Sequence, residues 1–182
     1  YIFEYNGTTW TQIEKIQASD KDENNYFGKS VAIDGTTAIV GAHGAEPNGW
    51  YSGAAYIFEK VGGTWTEVKK IQASDTNSPD EFGNSVAISG TTAIVGAGRK
   101  NDSTGTAYIF ERNGDGSWNT TETQKIMASD NATGDYFGKY SVAISGTTAI
   151  VGANGEDTGG SKTGAAYIFE KVGGTWGNNV SG

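Results

Sequence analysis

Ser30-Val31-Ala32-Ile33-Asp34-Gly35-Thr36-Thr37-Ala38-Ile39-Val40-Gly41-Ala42 decides the reading of this chain. It holds two apolar runs, Ser30 to Ile33 and Thr37 to Ala42, on either side of a turn at Asp34-Gly35. Short runs rich in Val and Ile predict strands buried on both faces. The Ala and Gly among them let a neighbouring sheet approach closely. The same pattern returns as Ser85-Val86-Ala87-Ile88 with Thr92 to Ala97, and as Ser141-Val142-Ala143-Ile144 with Thr148 to Ala153.

Outward from this hairpin, everything repeats. Phe27-Gly28, Phe82-Gly83 and Phe137-Gly138 are spaced 55 residues apart, as are Lys15-Ile16, Lys70-Ile71 and Lys125-Ile126. Tyr-Ile-Phe-Glu starts at Tyr1, Tyr56, Tyr108 and Tyr167, with spacings of 55, 52 and 59, so the length changes fall in loops. A period near 50 predicts a propeller or a solenoid. Within a unit, a variable loop leads to Ala54 to Glu59, a Gly62-Gly63 turn, and a mixed segment from Trp65 to Ile71 carrying Glu67, Lys69 and Lys70. Four segments graded from apolar to polar predict an all-β fold, a β-propeller-like array of four-stranded antiparallel blades, with about three and a half repeats of ~55 residues. A β-solenoid is the runner-up. Residues 1–20 read as a leading half repeat, 21–75 as repeat 1, 76–130 as repeat 2, and 131–182 as repeat 3 with a divergent tail. Three and a half blades do not close a ring. With Tyr1 at its start, the chain is expected to be a piece of a larger protein or assembly. A neighbour completing the half blade would make rings or filaments, depending on closure.

At Phe27-Gly28 with Gly41-Ala42, Phe82-Gly83 with Gly96-Ala97, and Phe137-Gly138 with Gly152-Ala153, the sequence resembles the FG-GAP repeat of integrin α-subunit propellers. It is most similar to the bacterial, secreted branch, and the resemblance covers almost the whole chain. It implies an extracellular or cell-surface adhesion or recognition protein. The proline that ends the family's Gly-Ala-Pro is replaced by His43, Gly98 and Asn154. Integrin-type repeats often carry an acidic calcium loop between the inner strands. Here that place holds only Asp34-Gly35-Thr36-Thr37 and its equivalents, without the alternating carboxylates calcium needs.

Composition narrows the function. Net charge is −8, a poor basis for gripping nucleic-acid phosphates. Cysteine is absent, which excludes disulfides and thiolate metal sites, and the single histidine, His43, excludes any two-imidazole site. No apolar run reaches the roughly 18 residues of a membrane helix. No Gly-x-Ser-x-Gly elbow or phosphate loop is present, so the expectation is a non-enzyme.

Three sets of candidate sites remain. The turns before each Phe-Gly hold Asp20, Asp22 and Asn25; Asp75, Asn77 and Asp80; and Asp130, Asn131 and Asp135. Such oxygen clusters suit calcium, although Asp and Asn also cap turns with their own backbone. The first variable loop holds His43, Trp50 and Tyr51; Trp50 is the one tryptophan outside the recurring Trp10, Trp65, Trp118 and Trp176 positions. An exposed Trp-Tyr pair offers a face for a glycan or a protein ligand, against a plain packing role at the blade edge. Acceptor patterns for N-glycosylation occur at Asn6, Asn101, Asn119, Asn131 and Asn179. Among the remaining residues, Tyr56 and Phe58 are expected to alternate between the two faces of their strand, Glu59-Lys60 and Glu111-Arg112 to form a solvated end, and the loop Arg99 to Thr104 to be a solvated turn. The function expected is adhesion, recognition or assembly, with a filament subunit or a lectin as alternatives. The partner is a protein or glycan ligand, or a second copy.

Overall fold

The computed structural model describes residues 1–178. Asn179, one of the acceptor asparagines, lies outside the described residues. A leading hairpin, β1 (Ile2–Tyr5) and β2 (Trp10–Glu14), precedes three four-stranded antiparallel meanders. Blade 1 is β3 (Ser30–Asp34), β4 (Thr37–Ala42), β5 (Ala54–Val61) and β6 (Thr64–Ile71). Blade 2 is β7 (Ser85–Ser89), β8 (Thr92–Ala97), β9 (Thr106–Glu111) and β10 (Gln124–Ile126). Blade 3 is β11 (Val142–Ser145), β12 (Thr148–Ala153), β13 (Ala165–Val172) and β14 (Thr175–Asn178). In each blade the strands pair in sequence order. The expected all-β, blade-by-blade architecture is the one observed.

The register of the hairpins is identical from blade to blade. Ile33 faces Ala38, Ile88 faces Ala93 and Ile144 faces Ala149. Ile39 faces Ile57, Ile94 faces Ile109 and Ile150 faces Ile168. Because side chains alternate, Tyr56 and Phe58 share one face and Ile57 takes the other. The two aromatics therefore do not split between faces as the sequence reading expected. Both pack edge-on against Phe27, at centroid distances of 5.6 and 6.0 Å. Phe82 meets Tyr108 and Phe110, and Phe137 meets Tyr167 and Phe169, at closely similar distances and tilts.

Blades stack through mixed cores. Ile39, Ala55, Ile57, Ile71 and Ala73 of blade 1 close onto Phe82, Val86, Ile88, Val95, Tyr108 and Phe110 of blade 2. Ile94, Ile109, Ile126 and Ala128 of blade 2 do the same for Phe137, Val151, Tyr167 and Phe169 of blade 3. A Cβ on Gly41 would lie 1.9 Å from the Gly83 carbonyl oxygen, and one on Gly96 1.9 Å from that of Gly138. These glycines are the points where the Phe-Gly turn of the next blade drives against the second strand. Ser30 Oγ and Ser85 Oγ donate to those same carbonyls at 2.8 and 2.5 Å. The Phe82 and Phe137 amides donate back to the Ser52 and Thr104 carbonyls.

Two expectations need correction here. The strand pair Glu59-Lys60 and its equivalents are not a solvated end. Arg112 pairs with Glu59 at 2.6 Å, Lys171 with Glu111 at 2.6 Å, and Lys60 with Glu4, so each blade clasps the one before it. Trp118 Nε1 and Trp176 Nε1 reach the same two carboxylates in blades 2 and 3. The inner strand of blade 1 is also not buried on both faces, because Val31 is 67% and Ile33 58% exposed.

Candidate functional site

The first variable loop leaves β4 at His43 and returns at Gly53. It is braced rather than loose. Asn48 Nδ2 donates to Thr76 Oγ1 at 3.0 Å, and the Glu81 amide donates to the Tyr51 carbonyl at 2.9 Å. The loop is thereby tied to the Phe-Gly turn of blade 2, and its aromatic side chains gather over the junction of the two blades. Tyr26 stacks on His43 at 5.1 Å and 27°. Tyr51 stands edge-on to His43 at 5.7 Å and 6.1 Å from Tyr26. Trp50 lies 4.5 Å from Tyr51 and is 61% exposed. The three residues singled out from the sequence, His43, Trp50 and Tyr51, are thus brought into one cluster.

Tyr26 is the member that sequence reading missed. It precedes Phe27-Gly28, and its equivalents are Glu81 and Tyr136, so nothing in the repeat pattern marks it. Its positive φ of 52° aims its ring back towards His43. The rim is polar: Arg99 Nε pairs with Glu81 Oε1 at 3.0 Å. Burial pushes the His43 imidazole below its ordinary pKa; Glu81 opposes this, and Lys29 and Arg99 add to it. His43 Nδ1 is buried without a hydrogen-bond partner among the described residues. The Tyr51 hydroxyl is shifted upward by its hydrogen bond with Tyr26 and by burial, with Glu81 and Glu46 contributing. The cluster can offer flat aromatic faces, a neutral imidazole and a charged rim. It holds no activated nucleophile.

The acidic turns are tied to the blades by hydrogen bonds. Asp20, Asp75 and Asp130 accept hydrogen bonds from the hydroxyls of Tyr56, Tyr108 and Tyr167, at 2.8, 2.9 and 2.6 Å. Each tyrosine hydroxyl is raised far above its ordinary pKa, first by burial and then by its aspartate. A buried phenol needs an acceptor, so the recurring aspartate follows from the recurring tyrosine. Asp80 and Asp135 accept the Asn77 and Ala132 amides at 2.7 and 2.6 Å, closing the turn. Asp22 accepts the Glu23 amide, and the Asn25 carbonyl accepts from Gly44.

In repeat 2 a cation of the protein's own sits at this turn. Lys100 is buried, and its Nζ contacts Asp80 Oδ2 at 2.9 Å and the Asp75 carbonyl. The Arg99 to Thr104 loop is therefore not the solvated turn expected of it. It makes one tight turn at Lys100–Ser103, with Asn101, Asp102 and Ser103 at positive φ, and this turns the lysine inward. Ala45 and Glu156 occupy the equivalent place in repeats 1 and 3. Among the described residues, no three His, Asp or Glu side chains are grouped to hold a metal ion.

The acceptor asparagines Asn6, Asn101 and Asn131 are exposed and Asn119 is half-buried. Asn6 uses its side-chain oxygen to close the β1–β2 turn, accepting from Thr8 and Thr9 at 3.0 Å each. No helix among the described residues is long and apolar enough to cross a membrane.

Comparison with known proteins bears on the repeat. The sequence profile of the FG-GAP repeat matches residues 10–58, 65–110 and 120–169. No curated protein matches the chain.

Proposed function

The chain belongs to the FG-GAP repeat family, and from that premise we propose that it is a non-catalytic recognition module, contacting its ligand through the loops at the junction of blades 1 and 2. FG-GAP repeats occur in extracellular, adhesion-type β-propeller proteins and are generally non-catalytic. In such a scaffold the core consumes the recurring apolar residues, and specificity is left to what does not recur. The observation that carries the reading is the Tyr26–His43–Tyr51–Trp50 cluster. It joins the most divergent loop to Tyr26 of the turn before Phe27, is braced against the next blade, and is open to solvent at Trp50.

A carbohydrate is the ligand class that the cluster favours. Tryptophan and tyrosine faces cover the apolar face of a sugar ring at little entropic cost, and the Glu81–Arg99 pair supplies groups for ring hydroxyls. Glycan-array binding of the wild-type chain and of Trp50→Ala tests this. Loss of about tenfold in apparent affinity is expected, the scale of one well-placed aromatic contact. Binding that ignores both Trp50 and Tyr51 would remove these residues from the site. Surface exposure of the protein on its source cell, probed with an antibody on intact cells, tests the extracellular placement.

A further inference from the structure

The leading side of blade 1 presents the same residues as the leading side of blade 2, without the same cover. Val86 and Ile88 are each 7% exposed, whereas Val31 and Ile33 are 67% and 58% exposed. In blade 2 the cover comes from four strands of blade 1, including Ile39 of β4 and Ala32 of β3. On the leading side only the outer half of such a blade is present. Ile2, Ile16 and Ala18 pack where Ile57, Ile71 and Ala73 pack one repeat later. Among the described residues none takes the places of Ala32 and Ile39. The result is an apolar groove of about 640 Å³ between the β1–β2 hairpin and β3, lined by Phe3, Ile16, Phe27, Val31, Ile33 and Val40.

The groove is held open in the geometry of a blade. Glu14 accepts the Trp65 amide at 2.9 Å, Glu67 accepts the Ser19 amide and hydroxyl at 2.8 and 2.9 Å, and Lys60 pairs with Glu4. The last two contacts recur one repeat later, as Ser74 with Glu122 and Arg112 with Glu59. The β1–β2 hairpin is therefore docked as the outer two strands of a complete blade would be. β1 corresponds to β5, whose inner edge pairs with β4, and in β1 that edge borders the groove. At its mouth Gly28 occupies the place of Gly83 and Gly138, whose carbonyls each accept a serine hydroxyl from the first strand of the blade before.

We propose that this groove binds a two-stranded β-hairpin of the repeat's own inner type, supplied by a segment outside these three blades whose hairpin is not yet part of a blade. The continuity with the two existing blade junctions specifies it: a Ser-Val-Ala-Ile strand over Val31 and Ile33, then an Ala-Ile-Val-Gly-Ala strand antiparallel to β1. Its Ile sits opposite Ile2 and its Val opposite Tyr1, following Ile39 opposite Ile57 and Val40 opposite Tyr56. A second copy of this chain is not the donor. Its three inner hairpins are already paired with β5, β9 and β13. The mode is strand addition to an exposed edge, with backbone hydrogen bonds giving affinity and alternate side chains giving register.

The test uses a labelled peptide with the sequence of Ser30 to Ala42, titrated into the intact chain by fluorescence anisotropy, with amide hydrogen exchange of β1 as a second readout. Saturable binding is expected, with exchange of β1 amides slowed about tenfold or more at saturation. Val31→Asp should weaken binding about tenfold or more, while Ile150→Asp on the far face of blade 3 leaves it unchanged. Val31 is largely exposed, so its replacement leaves the fold intact, which an unchanged melting temperature verifies. Absence of saturable binding, indifference to Val31→Asp, or unprotected β1 amides each overturns the proposal. So does a chain that dimerises by itself through a contact that Val31→Asp abolishes, because the occupant is then a second copy.

Discussion

Blades 1 and 2 have nearly the same inner hairpin and the same strand register, yet one leading side is core and the other is surface. Strand and turn are set within the hairpin, by Val and Ile content and by a two-residue turn with Gly at positive φ. Burial is set by the neighbour. The comparison predicts unequal costs for equal substitutions. Phe82→Ala removes a fully buried ring wedged between two blades and should cost about 3–5 kcal/mol. Phe27→Ala, at the half-covered equivalent, should cost less than half as much, because the ring has already kept part of its contact with water. Urea denaturation of both variants checks the ratio. Equal costs would mean that the leading side is covered in solution.

A second contrast lies at the acidic turns. Repeat 2 neutralises its turn with Lys100, where repeats 1 and 3 place Ala45 and Glu156. Removing one partner of a buried pair leaves an uncompensated charge, so Lys100→Met should cost about 3–4 kcal/mol by thermal or urea unfolding. The double variant Lys100→Met/Asp80→Asn should recover most of that loss, since the asparagine oxygen can still accept the Asn77 amide. Failure to recover would place the lysine's role in its contact with the Asp75 carbonyl instead.

The repeat, its four strands and their order across each sheet were legible because each is written three times in local apolar pattern and glycine spacing. The aromatic cluster was half legible: Trp50 stood out as an unrepeated tryptophan, but Tyr26 reaches His43 only through a left-handed turn that no pattern announces. The inter-blade ion pairs were misread as solvated ends because Glu59 and Arg112 are 53 residues apart, and a charge pair at a strand end looks the same whether water or another blade faces it. Lys100 was misread for a related reason: its partners Asp75 and Asp80 precede it by a whole hairpin. The recurring aspartates and the Tyr-Ile-Phe tyrosines were both visible, but pairing them required the path of the chain between.

The inter-blade clasp carries a smaller expected effect. Arg112 and Glu59 are each about a fifth exposed on their side chains, and Trp118 Nε1 shares the carboxylate at 3.1 Å. Arg112→Met should cost about 1 kcal/mol, near the upper end for ion pairs with solvent access, and the loss should shrink at high salt. Lys60→Met at the leading hairpin should cost less still, because its partner Glu4 is half exposed. A double-mutant cycle with Glu59→Gln isolates the pair from the stacking of the guanidinium over the Trp118 ring.

The smallest effect is one of titration. Burial pushes the Asp75 carboxyl upward, but Lys125, the Tyr108 hydroxyl and Lys100 outweigh it and hold its pKa below the ordinary value. Asp20 is held low in the same way by Lys70 and Tyr56. A carboxyl depressed in the folded state contributes stability that is fully present above its unfolded pKa, about 3.9, and is lost as pH falls through the folded value. Both turns should therefore begin to weaken the fold only below about pH 4. Tyr108→Phe removes one donor from Asp75 and should raise its midpoint towards the unfolded value, shrinking the stability that this carboxyl loses on acidification, while Asp20 titrates as before. Carboxyl NMR titration of the wild type and of Tyr108→Phe reads the two aspartates separately. An unmoved Asp75 midpoint would assign its depression to the lysines alone, and would make the tyrosine the dependent partner of the pair.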